Sequence, residues 1–279
     1  MKKNSIVKVV LLLIVSGVLA ACQTKAQDLN PNERTVKIAY VQGSKPVTYT
    51  DESGEAAGYD VDVLREVAKR LPNYKFEFVG TSDDDLLIGV EQGKYQVGVK
   101  NAFFTEERTK KFIYPKEYIG LSSTGFVLKK KYADIQSLAD FAEKDLSLAP
   151  IAANNAQYAV IQQFNDEHPE KPINLKAGDT FSIDVVQWVN EERVDGAVII
   201  GASYDRQITD SNGPYHHLKD EVVYNEFAVI ETWPLFNKKE QQFADDFDRA
   251  LKEVKEEGIL SELSIKHYGR DLFELVNDQ

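Results

Sequence analysis

The chain has 279 residues, and at roughly 150 residues per domain its length sets a prior of about two domains. With 43% hydrophobic and 28% charged residues, 16 glycines and 9 prolines, it is an ordinary globular sequence, which excludes collagen-like, low-complexity and disordered classes. The balance of 33 Lys+Arg against 45 Asp+Glu leaves a net charge of -12, the wrong sign for wrapping nucleic-acid phosphates, and the lone cysteine excludes an intrachain disulfide framework or a multi-thiolate zinc site.

Residues 1–8 carry three lysines, and 9–21 are almost purely apolar or small, too short a run to span a ~30 Å hydrocarbon core as a helix. Residues 1–21 therefore have the form of a signal segment. It ends in Leu19-Ala20-Ala21-Cys22, which resembles the bacterial lipobox, after which the signal is cut and the cysteine is lipidated. Acyl chains on Cys22, at ~0.8 kcal/mol per buried methylene, would hold the protein on a bilayer surface. The alternative is a cysteine that merely ends an ordinary secretory signal. Residues 22–33 are polar and aperiodic, the composition of a tether. The remainder is expected outside the membrane, at the extracellular face of the cell.

In the body, 35–41 alternates Val36, Ile38 and Tyr40 as a strand does, and a Gly43-Ser44-Lys45-Pro46 turn follows. Over 59–71, Val61, Leu64, Ala68 and Leu71 form one helical stripe, with Asp60 and Asp62 at its positive end and Pro72 as its stop. A strand over 74–79 leads to a Ser82-x-x-Asp85 capping box, a helix ending near Gly93, and a strand over 95–99. This alternation predicts a parallel α/β sheet with ligands beyond the carboxyl ends of its strands. A second round has strands over 125–130, 146–151 and 197–200, and helices near 135–143, 156–165 and 183–191. A closing helix carries Phe243, Phe247, Leu251 and Val254 on one face, with Gly258 beyond its end. Two α/β lobes with a cleft between them are the expected architecture, and such clefts hold small ligands.

Several pieces now stand in one order: Gly58-Tyr59-Asp60-Val61-Asp62-Val63, Gly93-Lys94-Tyr95, Thr105-Glu106-Glu107-Arg108, Val194-Asp195-Gly196, Gly258-Ile259-Leu260 and Tyr268-Gly269. Together they resemble the extracellular solute-binding proteins of polar amino acid ABC importers (family 3), over about 34–273. The Gly-Ser-Lys-Pro turn, the segment before Arg108 and Phe164-Asn165-Asp166-Glu167-His168 look like the cystine-binding branch. The resemblance implies a two-lobed type II periplasmic-binding-protein-like fold with two hinge crossings. Lobe 1 would comprise 34–115 plus 231–279 and lobe 2 would comprise 116–230.

The resemblance assigns Arg108 to the ligand's α-carboxylate, which a planar guanidinium grips bidentately; Thr105 is expected to cap locally. Asn101 and Phe103 fall on the family's ligand-contacting segment, and Lys100 is expected to face solvent. Ser44 occupies the place where many members stack an aromatic ring. Asn155 and Ala156 precede a helix whose N-terminus favours an anion, although helix capping by Asn explains the sequence equally well. The family's acid for the ligand's ammonium is missing, since Ile200 stands there; Asp205 is the candidate replacement, with Asp179 and Asp184 behind it. Tyr49, Tyr118, Trp188 and Trp233 are either cleft walls or lobe core.

His168, His216, His217 and His267 lack metal-ligand spacing, Asp83-Asp84-Asp85 is a first-turn acid cluster, and no cofactor motif is present, so neither metal nor cofactor is expected. The expected function is lipid-anchored capture of a small carboxylate-bearing solute, an amino acid such as cystine or a related sulfur compound. A monomeric receptor would deliver it to a membrane permease and its ATPase subunits, without catalysis. The alternatives are a diverged sensor or adhesin, kept open by Ile200, and a secreted dehydratase-type enzyme on the same fold.

Overall fold

The structure, a computed structural model, describes residues 33–153, 155–178 and 184–277. The signal segment, Cys22, Asn154 and Asp179 lie outside the described residues.

Strand β1 (Arg34–Val41) enters the core through Val36 and Ile38. Two small strands, β2 (Gly43–Ser44) and β3 (Thr48–Thr50), pair across the turn, and β4 (Ala56–Ala57) adds to β3. Helix α1 (Tyr59–Lys69) starts at Gly58, whose φ of 114° excludes most side chains; a Cβ there would lie 2.4 Å from the Val47 carbonyl oxygen. β5 (Tyr74–Thr81) follows. The Ser82 hydroxyl then accepts the Asp85 N–H at 3.2 Å and opens α2 (Asp83–Glu91), which ends before Gly93 at φ 80°. β6 (Val97–Ala102) leads into the short helix α3 (Glu106–Thr109) and β7 (Phe112–Ile113).

The second half begins with β8 (Gly120–Lys129), buried along nearly its whole length, then α4 (Leu138–Glu143), β9 (Ile151–Ala152), α5 (Ala156–Glu167) and β10 (Ala177–Gly178). α6 (Val185–Asn190), β11 (Gly196–Ile200) and α7 (Gly201–Tyr204) complete it; α7 widens into a π-helical turn, Asp205–Thr209. The chain returns along β12 (Val222–Asn237), then forms α8 (Gln241–Glu256), α9 (Ile259–Tyr268) and α10 (Glu274–Asn277).

The main sheet has the order β11-β8-β12-β6-β1-β5, with β7 beside β12. It is mixed, which corrects the parallel sheet expected from the alternation. β1 and β6 run parallel, but β12 is antiparallel to β6 and β8, and β11 is antiparallel to β8. The reason is β12 itself: sixteen residues at about 3.4 Å each reach some 50 Å, so one return strand serves both halves. The expected strand over 146–151 contracts to β9 and a single Leu148–Gly196 bridge. One buried cluster gathers Val36, Ile38, Leu64, Phe236, Phe243 and Phe247; another gathers Phe126, Leu128, Ile135, Phe141 and Ile161. The cores of the two halves are thus built from separate stretches of chain, with β8 and β12 running between them.

Candidate functional site

Arg108 sits on α3. The hydroxyl of Thr105 caps this helix by accepting the Arg108 N–H at 3.2 Å, as the sequence predicts. The half-buried guanidinium donates through Nη1 to the Phe103 carbonyl at 2.9 Å, and Tyr114 Oη donates to the same oxygen at 2.9 Å. Among the described residues no carboxylate pairs with Arg108. Its remaining donors therefore keep the planar fork that matches a carboxylate. Phe103 is half-buried and belongs to neither core.

Asn101 closes β6 in the left-handed region, φ 57°, which Asn tolerates better than most residues. Its N–H donates to Asp60 Oδ2 at 3.2 Å, and its Nδ2 donates to Ser122 Oγ at 3.1 Å; among the described residues its carbonyl Oδ1 has no donor and can accept from a ligand. Asp60 is only 1% exposed at the first turn of α1, and burial pushes its carboxyl up to about 7, opposed by the hydrogen bond from Asn101. Lys100 corrects its expectation: its side chain is only 12% exposed and pairs with Asp83. Burial lowers its ammonium's pKa while Asp83 opposes the shift.

A cavity of about 290 Å³ lies where the two halves meet. Val47 and Tyr268 line it from one half, Ser122 and Ser123 from β8, and Gly201 and Asp205 from the other half. Tyr224, Glu226 and Arg270 complete its polar wall. The residues expected to hold a ligand do not line it, but three adjoin it. Ser44 accepts the Val47 N–H at 2.8 Å, Asn101 donates to Ser122, and Ile200 precedes Gly201. Arg108 lines neither this cavity nor the smaller one beside Trp188; its bond is to the carbonyl of Phe103, two residues after Asn101.

Asn155 and Ala156 line neither this cavity nor a second one of about 230 Å³ beside Trp188 and Arg193. The Asn155 side chain caps α5 by accepting the Gln157 N–H at 3.2 Å. Asp184 is withdrawn from the candidate replacements for the acid missing at Ile200: it caps α6 and accepts a hydrogen bond from Tyr215 Oη. Asp205 does face the cavity.

Tyr118 and Trp233 are part of a ring cluster with Phe104, Tyr114 and Phe273, in which Tyr118 stacks on Phe273 at 6.2 Å. Tyr49 lies under the Lys45 ammonium. Glu226 and Arg270 had no place in the sequence argument. They lie 44 residues apart, Glu226 on β12 and Arg270 in the bend after α9, and no local spacing signals their pairing.

Among the described residues there is no grouping of His, Cys, Asp or Glu able to hold a metal ion, and no helix is long and apolar enough to cross a membrane. The chain is 29% identical over 263 residues to the L-cystine-binding protein TcyJ of Bacillus subtilis, covering 94% of both chains. It is 26% identical to the L-cystine-binding protein TcyK of the same organism, covering 91% of this chain and 92% of the relative. A crystal structure of the probable amino-acid ABC transporter extracellular-binding protein YtmK of B. subtilis superposes with a TM-score of 0.67 at 23% identity, covering 85% of this chain and 98% of that one. These relatives are binding proteins of the type II, two-lobed fold. With its residues 36–270 matching the family's profile, the chain belongs to the bacterial extracellular solute-binding proteins, family 3.

Proposed function

We propose that the protein is the receptor of an amino-acid ABC importer and that it captures cystine or a related sulfur amino acid through the ligand's α-carboxylate. The observation that carries this is the state of Arg108: half-buried, held on the Phe103 carbonyl, and without a carboxylate partner among the described residues. The similarity to two L-cystine-binding proteins supports the ligand class. The lobes would be 34–115 with 231–279 and 116–230, closing over the ligand as a hinge does. Contacts made only in the closed state shift the equilibrium, and a membrane permease with its ATPase subunits would read the closed form. Lipidation at Cys22 would keep the receptor at the outer membrane face beside that permease.

Calorimetry of the wild type and Arg108→Ala against a panel of amino acids including L-cystine tests this. A charge-assisted hydrogen bond contributes about 1.5–3 kcal/mol, so the variant is expected to bind roughly 10- to 100-fold more weakly. Arg108→Lys, which keeps the charge and loses the fork, is expected to recover only part of the loss. Unchanged affinity in Arg108→Ala would remove the carboxylate clamp, and a panel that binds nothing would favour a sensor or adhesin.

A further inference from the structure

The carbonyl oxygen of Phe103 accepts two hydrogen bonds, one from Arg108 Nη1 and one from Tyr114 Oη, each at 2.9 Å. A carbonyl has two lone pairs, and both are engaged here. Tyr114 lies six residues beyond the arginine, and none of the sequence pieces that carry the family resemblance contains it. Its partnership with Arg108 therefore comes from the fold and from no local motif.

Strand β12 brings the two groups together. Its Trp233 stands opposite Ala102, the last residue of β6, and its Phe236 and Asn237 stand opposite Ile113 and Phe112 of β7. Phe103 leaves β6 and Tyr114 leaves β7 beside the same stretch of one strand. Pro115 follows Tyr114, which restricts the tyrosine to extended backbone, and both Phe112 and Pro115 are buried. The Tyr114 ring lies edge-on to Phe104 at 5.1 Å and to Trp233 at 6.0 Å, contacts that fix where its hydroxyl points.

A guanidinium grips a carboxylate with two parallel bonds only when the two groups share a plane. The backbone alone does not set that plane, since α3 has a single turn and no buried residue. The Phe103 carbonyl, held on its other lone pair by Tyr114, supplies the fixed reference. Burial pushes the Tyr114 phenol above its ordinary value, and the Arg108 guanidinium beside it opposes the shift. The hydroxyl is thus neutral at physiological pH, and it can orient the guanidinium without adding a negative charge that would compete with a ligand's carboxylate.

We propose that Tyr114 is a positioning residue for Arg108: its hydroxyl anchors the Phe103 carbonyl that sets the plane of the guanidinium, and it acts on a ligand only through that plane. Its effect on affinity presupposes the Arg108 carboxylate clamp; its effect on the order of the Arg108 side chain does not.

The test is Tyr114→Phe in the full chain, which keeps the ring and its packing and removes only the hydroxyl. Nuclear magnetic relaxation of the isotope-labelled, ligand-free protein reads the order parameter of the Arg108 Nε–H, whose resonance is identified by its loss in Arg108→Lys. In Tyr114→Phe this order parameter is expected to fall from near that of rigid backbone, about 0.85, to below about 0.6. An unchanged value overturns the proposal. Calorimetry with L-cystine gives the second readout: Tyr114→Phe is expected to bind about three- to tenfold more weakly than wild type. In an Arg108→Lys background the same substitution is expected to change affinity by less than about twofold, because an ammonium has no plane to hold. Equal weakening in both backgrounds would assign the tyrosine a general structural role and overturn the proposal. Failure of the clamp shows separately, as unchanged affinity in Arg108→Ala or no L-cystine binding in the wild type, and the relaxation measurement then still decides whether Tyr114 orients Arg108.

Discussion

Asn101 and Asp60 show how a single buried carboxyl shapes the ligand-facing backbone. Asn101 holds a left-handed conformation in which its N–H reaches Asp60 and its amide reaches Ser122, and its carbonyl oxygen has no donor among the described residues. The arrangement weakens the fold at neutral pH. Asp60 ordinarily titrates at 3.8, and burial raises this to about 7 in the folded state. Below 3.8 both folded and unfolded chains hold the proton. Between 3.8 and about 7 the unfolded chain releases it and the folded chain keeps it, so this residue's contribution to stability falls as pH rises through that window. Asp60→Asn keeps an acceptor for the Asn101 N–H and removes the titration. The variant is expected to gain stability relative to wild type between pH 4 and 7, by at most a few kcal/mol. Urea unfolding of both proteins across that range measures the difference, and a gap that does not vary with pH would contradict the assignment.

Helix α3 is one turn long and has no buried residue, so its position depends on its cap. Thr105→Ala removes an N-cap contribution of about 1 kcal/mol, and because α3 carries Arg108 the loss should appear as weaker ligand binding, roughly 3- to 10-fold by calorimetry. Thr105→Ser is expected to retain affinity; equal loss in both would show that the cap does not position Arg108. The Thr105 cap, the Ser82 cap, the Gly258 boundary and the α8 stripe were legible in the sequence because each is a local pattern with a local cause.

Strand β12 was not legible. Glu226, Glu231 and Pro234 interrupt its apolar run, and the structure accommodates Pro234 at a register shift between Trp233 and Leu235. β8 was foreseen only from Gly125 onward; of its first residues, Gly120-Leu121-Ser122-Ser123-Thr124, all but Leu121 are small or polar yet buried, and they pair along β12. Much of the cavity wall lies on these two strands and on α7. Asp205 is a candidate from sequence alone, but Glu226 and Arg270 are not, because the contacts that bring them to the cavity are made between distant segments.

At the scale of the whole molecule, the proposed function requires one half to close on the other, and β8 and β12 run between the buried clusters of the two halves. A ligand that binds the folded chain at 100 times its dissociation constant stabilises it by about 2.7 kcal/mol, or on the order of 5–10 °C in melting temperature for a body of this size. Small-angle scattering of the same samples is expected to show a smaller radius of gyration with L-cystine than without it. Stabilisation with an unchanged radius would mean that the ligand binds without closure. The ring cluster around Trp233 offers a second reporter, since it sits on β12 between the two halves, and its fluorescence is expected to change on closure.

The most direct measurement is a crystal structure of the protein grown with L-cystine. The account predicts one ligand carboxylate bidentate on the Arg108 guanidinium, with N···O distances of about 2.7–2.9 Å and the remainder of the ligand directed past Asn101 toward Ser122. A ligand seated elsewhere, with the Arg108 guanidinium turned to solvent or paired with a protein carboxylate, would contradict it.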